Sequence, residues 1–135
     1  NNNVCSMAAG CAAMSKIYTP ELAAEFFDRS EAFRHSLNDM FARKSVPMYA
    51  NGLGSMIAIH FSREATKRPS DISAGCRSLR PLLHMELLLD GVLICGRGDL
   101  FLSLPMDEKL LSQARLSLEK FADRHKPLIE QVTAA

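Results

Sequence analysis

The chain has 135 residues, of which 47% are hydrophobic, and a formal net charge of +1 with histidine neutral. This length fits one domain with its own core, and the balanced charge excludes the basic surface that nucleic acid selects. No apolar run approaches the ~20 residues of a membrane helix, and no basic segment precedes the apolar residues 4–17 as in a signal peptide. We therefore expect neither a nucleic-acid partner nor a membrane partner.

The cysteines contain no Cys-x-x-Cys pair, and each has apolar or small neighbours in the sequence. Such contexts are typical of buried free thiols, which favours a reducing compartment such as the cytoplasm and predicts no metal site. The residues concerned are Cys5, Cys11, Cys76 and Cys95.

The first 43 residues predict two helices. Apolar residues recur at helical spacing over residues 4–17, in a segment so rich in alanine that a large neighbour could approach it closely. Thr19, Pro20 and Glu21 then form a helix start, with a cap, a first-turn proline and an acid. The apolar stripe of the second helix contains Leu22, Phe26, Phe33, Leu37 and Met40 or Phe41, and its opposite face, with Asp28, Arg29, Arg34 and Arg43, is predicted to face water.

The middle of the chain predicts a β-ribbon and a third helix. Residues 48–50 form a short extended stretch, residues 51–54 a turn, and residues 56–61 a strand. The basic cluster Arg63, Lys67 and Arg68 follows in a polar stretch that is predicted to be a solvated loop. The third helix buries Leu79, Leu82, Leu83 and Leu87; because of Pro81 it is predicted to begin near Ser78 or to kink there, and it ends at Asp90-Gly91.

The last third predicts a hairpin, a helix and a tail. Residues 92–95 and 100–104 are interpreted as two strands around the tight turn 96–99. Asp107 caps a final helix whose apolar face contains Leu110, Leu111, Ala114, Leu118 and Phe121, and the tail after Pro127 has little reason to be ordered. The predicted fold class is α+β, with a small, mainly antiparallel sheet covered by helices.

The residues alone give few candidates for chemistry. The segment Gly96-Arg97-Gly98 could hold an anion, although a hairpin turn needs the same glycines. His84 and His60 are interpreted as histidines of the core or its rim, and Asn3 as a helix cap. On these residues alone, the interpretation stops at an α+β domain.

Several segments in order resemble one enzyme family. Residues 3–10 (Asn-Val-Cys-Ser-Met-Ala-Ala-Gly) resemble the motif Gly-Thr-x-x-x-Asn-Pro and the following Met-Ala-Ala-Gly of class III (fold type I) pyridoxal-phosphate aminotransferases, with Asn3 at the motif asparagine and Val4 replacing proline. Residues 52–61 resemble Gly-x-Gly-Ser-Met-Phe-x-Ile-x-Phe, and residues 83–92 resemble Phe-His-x-x-Leu-x-x-x-Gly-Val, both from glutamate-1-semialdehyde aminomutases. Residues 102–105, followed by Asp107-Glu108, complete the pattern.

This resemblance implies the small C-terminal domain of such an enzyme, preceded by a long interdomain helix. In the family a lysine of the large domain holds pyridoxal 5'-phosphate as a Schiff base. None of the six lysines here lies in a matching context, and the family's Gly-Thr pair would precede Asn1. We therefore expect a missing N-terminal large domain, a homodimeric parent enzyme, and a chain that alone neither binds the cofactor covalently nor transfers amino groups.

The implied organisation is residues 1–19 as the end of the interdomain helix, residues 20–126 as the small domain, and residues 127–135 as a tail. Asn3 is implied to support the motif next to the cofactor phosphate. No catalytic residue and no metal ligand is assigned within the chain.

Two departures bear on the branch of the family. In the ornithine- and 4-aminobutyrate-type branches an arginine at the position of Phe101 binds the substrate carboxylate, so Phe101 favours the aminomutase-like branch. The turn 96–99 is shorter than in aminomutases, and Asp99 is only a loose substitute for their active-site glutamate. Arg97 is the candidate contact for a substrate carboxylate or phosphate. The reaction stays open between aminomutase and transaminase, and a non-catalytic association module is the alternative function.

Overall fold

The computed structural model describes residues 3–134. Its helices are α1 (Val4–Ala12), α2 (Pro20–Arg43), α3 (Ala74–Leu89) and α4 (Glu108–Ala134), with a π-helical segment at Ala13–Ile17 and a 3-10 turn at Pro69–Asp71. Its strands are β1 (Tyr49–Leu53), β2 (Met56–His60) and β3 (Asp99–Phe101), which form one antiparallel sheet in the order β1-β2-β3. The predicted α+β class is therefore confirmed.

Helix α1 and the π-helical segment extend away from the core. The Asn3 side chain caps α1 by accepting hydrogen bonds from the backbone N–H groups of Cys5 and Ser6, at 2.9 and 3.3 Å. Every residue from 4 to 18 is exposed. The helix predicted for residues 4–17 therefore forms. No other part of residues 3–134 covers its apolar side chains. The division of the chain at residue 19 stays a prediction.

Helix α2 begins as predicted, with the Thr19 hydroxyl accepting from the Leu22 N–H and with Pro20 in the first turn. Its apolar stripe is buried at Phe26, Phe33, Leu37, Met40 and Phe41. The prediction of a wet opposite face is wrong at two arginines. Arg29 donates to the Leu104 carbonyl at 3.1 Å, and Arg34, with only 14% of its side chain exposed, pairs with Glu31. Long side chains can bury their stems while the charged end finds a partner.

The turn of the first hairpin lies at residues 54–55, later in the chain than the predicted turn at residues 51–54. Residues 51–53 continue β1, and Gly54-Ser55 form the turn, with Gly54 at φ 56°. The Gly54 N–H donates to the Glu31 carboxylate at 2.8 Å. This tie to α2 fixes the turn at Gly54, which the local turn residues could not indicate.

The predicted strand 92–95 does not form. Only Asp99–Phe101 is a strand, and it pairs with β2 rather than with residues 92–95. The turn between them is nevertheless closed, since the Gly98 N–H donates to the Cys95 carbonyl and the Cys95 N–H to the Asp99 carbonyl, at 2.8 and 2.9 Å. The sheet partner of β3 is thus distant in the sequence.

Helices α3 and α4 are both longer than predicted. Helix α3 begins at Ala74, capped by the Ser73 hydroxyl, and it continues through Pro81. Helix α4 is capped by Asp107 as predicted, and it continues through Pro127 to Ala134. The predicted disorder after Pro127 is wrong, because Ile129 has no exposed surface and belongs to the core. Ala135 lies outside the described residues, as do Asn1 and Asn2.

The core lies between the inner face of the sheet and the helices α2, α3 and α4. The sheet contributes Ala50, Ile57, Ile59 and Leu100, and the helices contribute fully buried residues such as Leu37, Leu83 and Leu118. None of the helices formed by residues 3–134 combines the length and apolar character needed to cross a bilayer.

The prediction of four buried thiols is wrong for two of them. Cys5 and Cys11 are exposed on α1, whereas Cys76 is buried and Cys95 is half-buried. All four are free. Within residues 3–134, no group of three or more His, Cys, Asp or Glu side chains could hold a metal ion.

Candidate functional site

The turn that connects residue 95 to β3 presents the candidate residue Arg97 to solvent. Gly98 takes φ 89° and lies so close to β2 that a Cβ there would be 3.0 Å from the Ile59 carbonyl oxygen. The Ile59 N–H in turn donates to the Gly98 carbonyl at 2.9 Å. Glycine is therefore required for this close approach, and the approach fixes the base of the turn on the sheet.

Arg97 is exposed but anchored. Its side chain is 77% exposed, and its Nε lies 3.3 Å from Oδ2 of Asp99, whose side chain is only 24% exposed. An exposed ion pair of this kind contributes little to stability. The pair places the guanidinium beside Asp99, the first residue of β3.

A second guanidinium lies behind the same turn. Arg80 of α3 donates from Nη2 to Nδ1 of His60 at 3.2 Å, and the Arg80 Nε is buried without a hydrogen-bond partner. Burial and the neighbouring Arg80 lower the pKa of His60, against a smaller opposing effect of Asp99. His60 is thus favoured in its neutral form. Arg97 is paired with Asp99, and Arg80 adds a further positive charge behind the same turn.

The other sequence candidates lie elsewhere. Asn3 caps α1, and no hydrogen bond or ion pair connects it with Arg97. His84 donates from Nδ1 to the Ile94 carbonyl oxygen at 2.9 Å, as expected of a rim histidine. The cluster Arg63, Lys67 and Arg68 is exposed, as predicted. The structure therefore does not combine Asn3 and Arg97 into one site within residues 3–134.

Sequence reasoning missed the pairing of Arg80 with His60. His60 ends a strand and Arg80 lies in a helix 20 residues later, so no local pattern connects them. Their proximity depends on how α3 crosses the sheet.

The six lysines have ordinary surface environments. Four are exposed, namely Lys16, Lys67, Lys109 and Lys120. The Lys44 Nζ lies 2.8 Å from Asp123 and 3.1 Å from Glu119. Its hydrogen bond to Asp123 raises the pKa of Lys44 most, and its hydrogen bond to Glu119 raises it further. Lys126 donates to the Lys44 carbonyl at 2.6 Å.

A small three-stranded antiparallel sheet covered by helices, preceded by the exposed helix α1, matches the C-terminal part of class III, pyridoxal-phosphate-dependent aminotransferases. Comparison with known proteins shows that the chain is related to this part over nearly its whole length. The resemblance in the sequence is therefore confirmed at the level of the family.

The most informative relative is a beta-phenylalanine transaminase of Variovorax paradoxus. It is 35% identical over 129 residues, which are 96% of this chain and 30% of the relative. The crystal structure of the beta-phenylalanine aminotransferase from that organism superposes with a TM-score of 0.89 over 95% of this chain. The chain thus spans about 30% of the length of the relatives it matches.

More distant structures share the fold. An omega-transaminase from Sphaerobacter thermophilus is 25% identical, with a TM-score of 0.78 over 89% of this chain and 28% of its own. A glutamate-1-semialdehyde aminomutase from Pseudomonas aeruginosa is 15% identical, with a TM-score of 0.74 over 88% of this chain and 27% of its own. No family model matches the chain.

Proposed function

We propose that this chain forms the C-terminal small domain of a pyridoxal-phosphate-dependent transaminase of amino and keto acids, and that the preceding two thirds of the enzyme hold the cofactor. The observation that carries this proposal is the 35% identity to a transaminase over 96% of the chain. The identity to the aminomutase is only 15%, which favours transamination over isomerisation.

The cofactor lysine is proposed to lie outside this chain. A lysine that forms a Schiff base needs a desolvated amine whose pKa is lowered. Four lysines here are exposed, hydrogen bonds to Asp123 and Glu119 raise the pKa of Lys44, and the Lys126 amine donates to the Lys44 carbonyl. These environments do not fit the cofactor aldehyde, so no reaction step is assigned to the cofactor on this chain.

Arg97 is proposed as the contact for the substrate carboxylate. It is a guanidinium on a turn that is fixed to the sheet, with most of its surface accessible and with Arg80 adding positive charge nearby. A guanidinium binds a carboxylate with two parallel hydrogen bonds. Asn3 is proposed to support the cofactor-phosphate motif through its cap of α1.

The family context adds further proposals for the whole enzyme. We propose a homodimer in which the preceding large domain covers α1, and the free thiols are compatible with a cytoplasmic location. The alternative function, an association module without catalysis, is supported by the exposed apolar residues of α1 and of the π-helical segment that follows it, namely Val4 78%, Met7 61%, Met14 66% and Ile17 60%.

Incubation of this chain with pyridoxal phosphate tests the position of the lysine. We expect no internal-aldimine absorbance band and no lysine labelled after borohydride reduction. A stable band that reduces onto one particular lysine would contradict the proposal.

Substitution of Arg97 in the full-length enzyme tests its role. We expect Arg97→Met to raise the KM for amino acid substrates at least tenfold, because the carboxylate loses a charge-assisted pair. Arg77→Met, at another exposed arginine, is the matched control and should leave KM unchanged. Equal KM values for the two variants would exclude Arg97 as the carboxylate contact.

A further inference from the structure

The side chain of Arg80 passes behind the turn that carries Arg97. Its Cγ is 3.9 Å from the position that a Cβ would take at Gly98. Its Nη2 lies 3.2 Å from Nδ1 of His60, the last residue of β2. A guanidinium has only donors, so the imidazole nitrogen is the acceptor. The Arg80 side chain is thus held along its stem by the turn and at its charged end by His60.

The positive charge of Arg80 has no acidic partner in the fold. Among residues 3–134 no carboxylate forms an ion pair with it, and its Nε is buried without a hydrogen-bond partner. A buried donor that loses water and gains no partner destabilises a fold, and arginine cannot release its proton to avoid this. Stability therefore does not explain an arginine at this position, whereas a role in a nearby site does.

One carboxylate, that of Asp99, acts on the charges around this turn. Its Oδ2 lies 3.3 Å from Nε of Arg97. It also acts on His60, where it opposes the lowering of the pKa by burial and by Arg80. The ion pair with Asp99 alone would leave Arg97 with little net charge for a substrate carboxylate. Arg80 supplies a second positive charge next to His60, and such a charge offsets that of Asp99.

We propose that Arg80 is a positioning residue for substrate binding, whose fixed positive charge offsets Asp99 so that Arg97 keeps its affinity for the substrate carboxylate. This role rests on the proposed function, in which Arg97 contacts the carboxylate, and it adds a residue of α3 that acts through Asp99. His60, as the acceptor, holds the guanidinium in place. Charge is the required property, so lysine can replace Arg80 and an apolar side chain cannot.

Kinetics of the full-length enzyme test this role. Arg80→Met keeps an unbranched apolar stem without the charge, and it should raise the KM for amino acid substrates at least fivefold with kcat unchanged. Arg80→Lys keeps the charge and should raise KM less than about twofold. Arg77→Met, at an exposed arginine of the same helix, is the matched control. Equal KM values for Arg80→Met and Arg77→Met, or for Arg80→Met and Arg80→Lys, would overturn the role.

Adding Asp99→Asn to Arg80→Met tests whether Arg80 acts through Asp99. Asparagine keeps an oxygen that can accept from Nε of Arg97, but it has no charge. We expect the double variant to return KM close to the wild-type value, because no carboxylate then needs to be offset. A KM as high as in Arg80→Met alone would contradict the proposed mechanism.

Stability separates this role from a purely structural one. Because the Arg80 Nε is a buried donor without a partner, Arg80→Met should leave the urea midpoint of the chain unchanged or raise it. A fall in the midpoint that accompanies the rise in KM would show that Arg80 supports the fold instead, and would overturn the proposal.

The chain without the rest of the enzyme separates this inference from the proposed function. A nuclear magnetic resonance pH titration of His60 should show a higher pKa in Arg80→Met and a lower pKa in Asp99→Asn. A His60 pKa that responds to neither substitution would contradict the shared environment of the three residues.

If the wild-type enzyme transfers no amino group from any donor, the proposed function fails. Titration of the chain with acetate, followed at the Nε–H signal of Arg97, then decides on Arg80. Acetate affinity at least threefold weaker in Arg80→Met than in the wild type supports the offset of Asp99. Equal acetate affinity in the two chains overturns it.

Discussion

Glu31 connects α2 to the first hairpin through one carboxylate. Its Oε1 accepts from the Gly54 N–H at 2.8 Å, and its Oε2 accepts from Arg34 Nη2 at 2.6 Å. The hydrogen bond from Arg34 is the largest cause of the lowered pKa of Glu31. The residue thus satisfies both a backbone group of a turn and a largely buried guanidinium.

Replacing Glu31 with alanine is expected to lower the free energy of unfolding by about 1–3 kcal/mol, because Gly54 and Arg34 lose their partner. Urea denaturation at pH 7 measures this loss. Glu25→Ala, at an exposed position of the same helix, should change it by less than about 0.5 kcal/mol. Since the folded pKa is the lower one, the contribution is present above about pH 4.3 and is lost as the pH falls. An unchanged stability at pH 7 would show that the turn does not depend on Glu31.

His60 is expected to make stability depend on pH. Burial and Arg80 lower its pKa in the folded chain, so the unfolded chain binds more protons between that pKa and the unfolded value of about 6.5. Stability from this residue is therefore full above pH 6.5 and decreases as the pH falls below it. Comparing unfolding at pH 8 and pH 5.5 for the wild type and His60→Gln measures the effect. If both chains lose the same stability on acidification, another group is responsible.

At the scale of elements, three helix ends with local caps were predictable, although the local Ser73 cap of α3 was missed. Thr19, Asp107 and Gly91 each act through neighbours two to four residues away, and all three function as the sequence indicates. Elements that depend on distant partners were not predictable. β3 pairs with β2 and not with residues 92–95, and the segment after Pro127 is helical because it packs on the core.

The candidate site divides in the same way. Arg97 was identified from its own turn, since glycines flank it, and its role stays a prediction. Its partner Asp99 lies in the same turn, whereas the pairing of Arg80 with His60 behind it depends on how α3 crosses the sheet. No spacing within the sequence contains that information.

The end of α4 gives a direct test of packing after Pro127. Ile129→Ala is expected to cost about 2–5 kcal/mol, because Ile129 has no exposed surface and a cavity would remain. Leu128→Ala is the matched control, at a neighbouring residue that is 39% exposed, and it should cost less than about 1 kcal/mol. Chemical denaturation of both variants makes the comparison. Equal small losses would mean that residues 128–134 do not pack on the core in solution.

At the scale of the molecule, the chain combines a well-packed domain with an uncovered helix. Helices shorter than about 12–15 residues are marginal in water without packing, so we expect α1 to become stable chiefly when a neighbour packs on it. In the proposed enzyme that neighbour is the large domain. The isolated chain presents the same surface to other copies of itself.

We expect the isolated chain to self-associate as its concentration rises, and the double substitution Met7→Glu and Met14→Glu to suppress this association. Charge on this face disfavours apolar contact between copies. Light scattering over a concentration series measures the mass. Leu89→Glu is the control, since Leu89 is 83% exposed but lies on α3. A clean wild-type monomer at the highest concentration would contradict the need for a covering neighbour.

The exposed thiols of α1 allow the burial of this helix by a neighbour to be measured without any added probe group. Cys5 and Cys11 are exposed on α1, whereas Cys76 is buried in the core. A thiol-specific alkylating reagent should therefore modify Cys5 and Cys11 quickly in the isolated chain and slowly in an assembled enzyme, with Cys76 as an internal reference for unfolding. Peptide mass spectrometry after brief alkylation would measure the extent of modification at each cysteine. The native cysteines therefore report whether α1 is covered in the assembled protein.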